Sequence, residues 1–332
     1  MSGDNAGGPA VLVTGGAGYI GSHACQALKA AGFVPVTYDN LSHGFPSLVR
    51  FGPLEEGDIR DRARLLDVIA RHKPVAAMHF AALIAVGESV EEPALYYRNN
   101  FVGALTLLDA LRESGLDKIV FSSTAAVYGM PERQPILETE SKSPINPYGR
   151  SKLMVEHALG DYDAAYGLKS VALRYFNACG AHPSGEIGEM HEPETHLIPR
   201  VLMAAIGTID AIDVFGTDYP TPDGTAIRDY IHVCDLADAH VAALRYLIAG
   251  GTTTAVNLGT GRGNTVREVI EAAKRATGRD IPVRYGPRRA GDPPELVADA
   301  SQARKTLGWS AQWLDIDAIV SSAWKWHSRP GT

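Results

Sequence analysis

The chain has 332 residues, enough at roughly 100–200 residues per domain for two domains or one large one with a substantial core. Hydrophobic residues make up 45% and charged residues 21%, the proportions of a globular protein, which excludes wholesale disorder. The 31 Lys and Arg against 38 Asp and Glu leave a formal charge of -7, which argues against broad nucleic-acid binding because that affinity comes from neutralising phosphates.

Residues 1–9 read as a small, polar, flexible tail without the cationic and apolar regions of a signal peptide. No stretch approaches the ~20 apolar residues of a membrane span, so the expectation is a cytoplasmic protein without a membrane partner. Cys25, Cys179 and Cys234 lack CxxC or zinc spacing, and an odd number cannot all pair within one chain.

Ala10–Thr14, 34–38, 75–80, Lys118–Ser122 and 170–175 are short β-rich runs, and helix-compatible segments separate them. That alternation predicts an α/β fold: a Rossmann-type, doubly wound parallel sheet. Gly32 reads as the cap of the first helix, and Pro74 and Pro147 mark helix boundaries. Beyond Asn177 the runs 179–194 and 216–224 are rich in Gly, Pro and acidic residues and read as loops of a smaller α/β substrate domain. Helices are predicted over 235–248 and Val266–Thr277, and strands over 255–258 and 281–285. The expected division is interleaved, with residues 10–176 and about 225–256 in the first domain and 177–224 and 257–330 in the second.

Between the first strand and first helix, Gly15, Gly18 and Gly21 have the GxxGxxG spacing that permits a tight turn, close approach to a pyrophosphate and close helix packing. A phosphate there would meet the positive end of a helix. Asp39 ends the second strand, where a carboxylate can accept a ribose 2′-hydroxyl and repel a 2′-phosphate; NAD is therefore preferred over NADP. Asp58 and Ile59 stand where they could flank the adenine, although Asp58 reads equally well as a helix cap.

Tyr148 and Lys152 are four residues apart and share a helix face. A phenol is a poor base near neutrality, but a neighbouring ammonium and a cationic nicotinamide favour its phenolate, which could take a hydroxyl proton as a hydride leaves the adjacent carbon. Thr124, after the strand Lys118–Ser122, could bridge Tyr148 and the substrate oxygen. Ser123 is expected only to cap that strand.

With these features in order, the chain resembles the extended short-chain dehydrogenases/reductases, and within them the UDP-glucose 4-epimerases (UDP-galactose 4-epimerases). The resemblance runs from about residue 10 to about 327 through TGGAGYIGSH, GDIR, HFAA, AVGESV, FSSTAAVYG, NPYGRSKLMVE, LRYFNACGAHPSG, RDYIHVCDLADAH, NLGTG, PRRAGD and ADASQA. It implies a tightly held NAD and reversible C4 inversion of a UDP-hexose through a 4-keto sugar. Position by position, it implies that Tyr19 and Ile20 contact the cofactor phosphates, Asp39 and Asn40 the adenosine, and that Phe80, Asn99, Ser122 and Tyr175 line the cofactor. Lys152 would tune Tyr148 and bind the nicotinamide ribose. It further implies that Asn177, Phe215, Arg228, Arg289 and Asp292 hold the UDP-sugar. A homodimer is expected through 93–113 and 148–166.

Three positions depart from the resemblance. Ile84 replaces a common lysine near the cofactor phosphates, and His196 replaces an asparagine that meets the substrate. Leu296 stands where a bulky aromatic restricts the pocket to hexoses, so activity on UDP-N-acetylhexosamines is expected as well. Glu189, His191, Glu192, Glu194 and His196 lack HExxH spacing and read as a solvated acidic segment, with no metal expected. Ala125 and Ala126 replace the Asp-Glu pair of a nucleotide-sugar 4,6-dehydratase. The remaining alternatives are a UDP-pentose or UDP-uronate 4-epimerase and, from another class, a non-catalytic NAD-sensing scaffold.

Overall fold

The computed structural model describes residues 7–289 and 292–329. The first six residues of the expected tail, residues 290 and 291 of the PRRAGD run, and Pro330 lie outside the described residues.

The first half alternates strand and helix: β1 (Ala10–Thr14), α1 (Tyr19–Ala30), β2 (Val34–Asp39), β3 (Leu54–Glu56), α2 (Arg62–His72) and β4 (Ala76–His79). Then come α3 (Val86–Glu91) and α4 (Pro93–Tyr96), a π-helical turn over Tyr97–Val102, and α5 (Gly103–Glu113). β5 (Lys118–Ser122), α6 (Pro147–Tyr166) and β6 (Lys169–Tyr175) complete this half. Local chemistry sets several boundaries. The cap falls at Ala31, one residue before the expected Gly32, which at φ +90° follows it and takes the left-handed turn that an L side chain resists. Asn146 accepts from the Gly149 N–H and Pro147 occupies the first turn of α6. Asp61, rather than Asp58, caps α2 by accepting from the Arg64 N–H.

The second half contains β7 (Asn177–Cys179), α7 (Leu197–Ile206), β8 (Ile212–Phe215), β9 (Ile227–His232), α8 (Val233–Ile248) and β10 (Thr254–Leu258). It ends with β11 (Gly263–Thr265), α9 (Val266–Thr277), β12 (Val283–Gly286), β13 (Glu295–Leu296), α10 (Ser301–Leu307) and α11 (Ile316–His327).

A seven-stranded parallel sheet has the order β10-β6-β5-β4-β1-β2-β3. Its central strands are buried on both faces, as apolar runs such as Val11, Leu12 and Val13 require. On one side they pack with α1 and α8 through Leu28, Leu236 and Leu244; on the other with α2, α5 and α6 through Leu65, Leu107 and Val155. Strand order reverses at β1, which pairs with both β2 and β4, and ligands in such sheets bind beyond the strand ends at this switch point.

The chain was expected to rejoin this sheet near residue 225, but β9 pairs instead with β7, β11 and β13 in a four-stranded sheet. The buried Asp229 carboxylate holds it there, accepting the N–H groups of Thr260, Gly261 and Ala298 at 2.9, 3.1 and 3.2 Å. The crossing back falls at His232, whose ring accepts from the Cys234 N–H and starts α8. α7, α9 and α11 form a separate core with Val201, Leu202, Val269 and Val320. Among the described residues, no helix is long and apolar enough to cross a membrane.

Candidate active site

The glycine turn lies at the switch point. A Cβ on Gly15 would come within 2.5 Å of the Ala81 nitrogen, and one on Gly21 within 2.1 Å of the Gly15 carbonyl oxygen, so the protein's own packing requires both glycines. A Cβ on Gly18 would meet only that oxygen, at 3.4 Å, and no side chain caps α1. The first-turn N–H groups therefore face an opening suited to a pyrophosphate. The Asp39 carboxylate accepts from Ala17 N at 3.0 Å and Leu41 N at 2.9 Å, which ties β2 to the turn and leaves acceptor capacity for ribose hydroxyls. Burial pushes its carboxyl upward against these two hydrogen bonds. This arrangement fits NAD.

The remaining expected cofactor residues divide between backbone and side-chain positions. Tyr19 donates its hydroxyl to the Gly180 carbonyl at 2.6 Å, so its backbone N–H is the group left for phosphate. Ile20 packs against the α1–α8 core, and Ile59 is buried beside Leu65 and Leu107. Asn40 donates to Asp58, which also holds Arg60; the Arg60 guanidinium keeps the Asp58 carboxyl well below the usual range. Phe80 packs on His240 with ring centroids 4.6 Å apart. Asn99 donates to the side chain of Asn100, which pins the loop at Leu83 through both backbone groups. Ile84 on that loop is exposed.

Tyr148 and Lys152 come from the first turns of α6, and Thr124 from the end of β5. Burial raises the Tyr148 phenol above its ordinary value, and a hydrogen bond from Thr124 works against that rise. Thr124 also accepts from the Ala126 N–H at 3.1 Å, fixing the hydroxyl beside the tyrosine. Lys152 was expected to depress the tyrosine, but its ammonium donates to the Ser122 carbonyl at 2.8 Å. Burial lowers Lys152 to about 7, while Glu156 opposes the shift. The Ser122 hydroxyl is paired with that of Tyr175, whose phenol burial raises. Thus Ser122 binds the lysine with its backbone and the tyrosine with its side chain.

Ser123 is not a strand cap: its hydroxyl donates to Glu156 at 2.5 Å. Glu156 also holds Arg174, which donates to the Tyr128 hydroxyl, and that hydroxyl donates to Asn257. Sequence reasoning missed this network and His79, whose Nδ1 lies 2.7 Å from the Thr14 hydroxyl and whose pKa falls to about 3 through burial and the nearby Lys152 charge. A signal was available for Glu156, because residues 148, 152 and 156 recur at helical spacing.

The expected substrate residues lie on the smaller sheets and their loops. Arg228 on β9 pairs with Asp292, and the Arg289 guanidinium lies 4.0 Å from the centroid of Phe215 on β8. Asn177 donates to the Asp229 carbonyl at 3.4 Å. Leu296 is paired in register with Arg228 and packs against the cluster of Val127, Tyr128 and Ile136, against which Ala125, next to Thr124 in the chain, also packs. The strand register therefore brings the arginine and the leucine to one place. Arg288 turns away to Asp218.

The acidic segment departs from its expected solvated state. Glu189 is 3% exposed, His191 and Glu194 are partly buried, and Glu192 alone of the named carboxylates is exposed. Burial opposes charge on both imidazoles, but Glu189 and Glu194 hold His191 up to about 9 and His196 up to about 10.

The profile of the NAD dependent epimerase/dehydratase family matches residues 11–259. A UDP-glucose 4-epimerase of Rhizobium meliloti (strain 1021) is 56% identical over 319 residues, 96% of this chain and 97% of the relative. The crystal structure of UDP-glucose 4-epimerase from Brucella ovis in complex with NAD superposes with a TM-score of 0.94 at 56% identity, covering 95% of this chain and 97% of that one. The UDP-Glc/GlcNAc 4-epimerase of Campylobacter jejuni gives 0.85 at 41% identity, covering 96% and 99%. The match spans the glycine turn, the tyrosine helix and the return through β10, and the chain belongs to the NAD dependent epimerase/dehydratase family, among the UDP-glucose 4-epimerases.

Proposed function

We propose that the chain inverts C4 of UDP-glucose and UDP-galactose reversibly with a retained NAD. The observation that carries this reading is the half-buried Tyr148 beside Thr124, on the helix that also supplies Lys152, at the end of the sheet that carries the glycine turn. When bound, NAD supplies a reversible two-electron acceptor for the sugar carbon. The α1 N-terminus and glycine turn would hold its pyrophosphate, Asp39 its ribose, and Lys152 the nicotinamide ribose. Because burial raises the Tyr148 phenol above its ordinary value, its ionisation would draw on positive charge that the bound cofactor would bring, with Thr124 donating to the phenolate. Tyr148 then takes the 4-hydroxyl proton and returns it after the ketone has turned its other face.

Inversion needs an anchored nucleotide and a mobile sugar. Arg228 and Arg289 provide forked cationic donors for the diphosphate, with Asn177, Phe215 and Asp292 around the nucleotide. We assign the seven-stranded sheet to the cofactor and the smaller sheets to UDP-sugar. Leu296, smaller than an aromatic, leaves room for an N-acetyl group, and UDP-N-acetylglucosamine is a second substrate in this reading. The exposed apolar residues Val90, Leu95 and Val102 on the α3–α5 segment, with Met154 on α6, support pairing of two copies through these helices.

Purified protein is incubated with UDP-galactose and, separately, UDP-N-acetylgalactosamine, without added NAD, and C4 inversion is scored by NMR. Conversion of the first supports the epimerase reading. Folded, NAD-containing protein that converts neither would overturn it and favour an NAD-sensing scaffold. Light scattering tests the dimer, for which a monomer at micromolar concentration is the contrary result.

A further inference from the structure

The segment between β7 and α7 brings together four groups that neither the fold's core nor the proposed chemistry uses. One side-chain ligand atom from each of Glu189, His191, Glu194 and His196 lies within 4.8 Å of the others. His191 Nδ1 is 3.3 Å from Glu189 Oε1 and 3.4 Å from Glu194 Oε2. His196 Nδ1 is 3.0 Å from Oε1 of Glu189 and 3.0 Å from Oε1 of Glu194. Ligands about 2.0–2.1 Å from a tetrahedral ion stand about 3.3 Å from one another; since the two histidines meet different oxygens of Glu194, three of these contacts at a time have the lengths of edges of one tetrahedron.

Ion pairs between charged imidazoles and the two carboxylates balance the charges but leave most of these contacts poorly aligned for hydrogen bonding. Of the four contacts, His196 to Glu194 alone has hydrogen-bond alignment; Glu189 Oε1 and His191 Nδ1 are buried without a hydrogen-bond partner. Glu189 is 3% exposed, and its carboxylate is aimed into the cluster. Such a buried acceptor is costly unless something else occupies its lone pair.

We propose that Glu189, His191, Glu194 and His196 form a structural site for a divalent ion of the zinc class, which staples the segment leading into α7. Two imidazoles and two carboxylates suit zinc, whereas an all-oxygen set would suit magnesium or calcium. With neutral imidazoles the two carboxylates supply two negative charges, which a divalent cation cancels. Four protein ligands fill a tetrahedral shell and leave no position for a reacting water, hence a structural rather than catalytic ion. The Tyr19 ring stands edge-on to His191 at 6.1 Å, and Trp326 of α11 donates to the Glu189 carbonyl at 3.0 Å. The ion would therefore tie the segment to the first turn of α1 and to α11.

The test uses untagged full-length protein stripped with chelator, then dialysed against micromolar Zn2+ and assayed by elemental analysis and X-ray absorption. About one zinc per chain, with nitrogen and oxygen neighbours at about 2.0–2.1 Å, is expected. Zinc should raise the melting temperature of the parent but not of His191→Gln, and that variant should lose the bound ion with its circular dichroism unchanged. If His191→Gln does not fold, Glu194→Gln is read in the same way. Folded parent protein without bound zinc leaves ion pairs as the whole role of the cluster and overturns the proposal. Folded variants that retain the full zinc content place the ion elsewhere and overturn it as well.

Discussion

The tyrosine side and the arginine side of the site are built differently. Thr124, Lys152 and His79 are 8%, 3% and 3% exposed, stand on or next to regular elements, and take their polar partners from within the protein. Arg228 and Asp292 have side chains 14% and 30% exposed, and Arg289 rests on Phe215 from a loop. The first set is held in place before any ligand arrives. On the second, the carboxylate of Asp292 occupies an arginine that a diphosphate would claim. The groups proposed for proton transfer thus sit on or next to regular elements, while the proposed diphosphate anchor joins Arg228 of β9 to the loop-borne Arg289.

The largest expected effect tests the prebuilt side. Tyr148→Phe should lower kcat by about 10²–10⁴-fold while NAD content, measured after denaturing release, stays as in the parent. Undiminished turnover would break the contrast, because the reactive group would then lie elsewhere. Glu156→Gln leaves the Arg174 guanidinium, buried to 4% side-chain exposure, without its carboxylate. Stability should fall by about 3–5 kcal/mol in denaturant unfolding. A loss below about 1 kcal/mol would show that this network is as loosely held as a surface ion pair.

On the arginine side, Arg228→Ala should raise KM by about 10-fold or more with a smaller change in kcat, as expected for a charged hydrogen bond worth about 1.5–3 kcal/mol in uniform binding. An equal fall in kcat with unchanged KM would place the arginine in the proton-transfer geometry instead. Acid should act on the buried histidines. Burial lowers His79 to about 3 and His240 to about 4, so the folded state keeps them neutral where the unfolded chain takes up a proton. Their contribution is intact above about pH 6.5 and is lost as pH falls toward these values, by about 2 kcal/mol each at pH 5. Melting curves at pH 7 and 5 measure it, and His79→Gln should lessen the fall; an unchanged fall removes His79 from the explanation.

The ends of β1, β5 and α9 coincide with those expected from the sequence because each is a run of one periodicity closed by glycine, proline or a polar cap. The glycine turn, Asp39 and the Tyr148–Lys152 spacing were legible for a similar reason, since each pattern is local. Sheet membership of β9 was not, because Asp229 reaches acceptable donors 31 and 69 residues away. Nor did spacing show where the Lys152 ammonium points: its acceptor, the Ser122 carbonyl, is supplied by a different strand.

The acidic segment makes the same point most sharply. Its composition argued for a solvated loop, yet Glu189 is turned inward beneath Tyr19 and Trp326, residues that lie at opposite ends of the chain. By itself the sequence determined the α/β alternation, the glycine turn and the placing of Tyr148 and Lys152 in the first turns of one helix, since these depend on neighbours within a strand or a few helical turns. Only the tertiary structure decided which sheet receives β9, which carbonyl holds Lys152 and which acidic groups leave water. Those outcomes depend on long-range hydrogen bonds and burial, and desolvation is a property of the whole packed chain rather than of any segment in it.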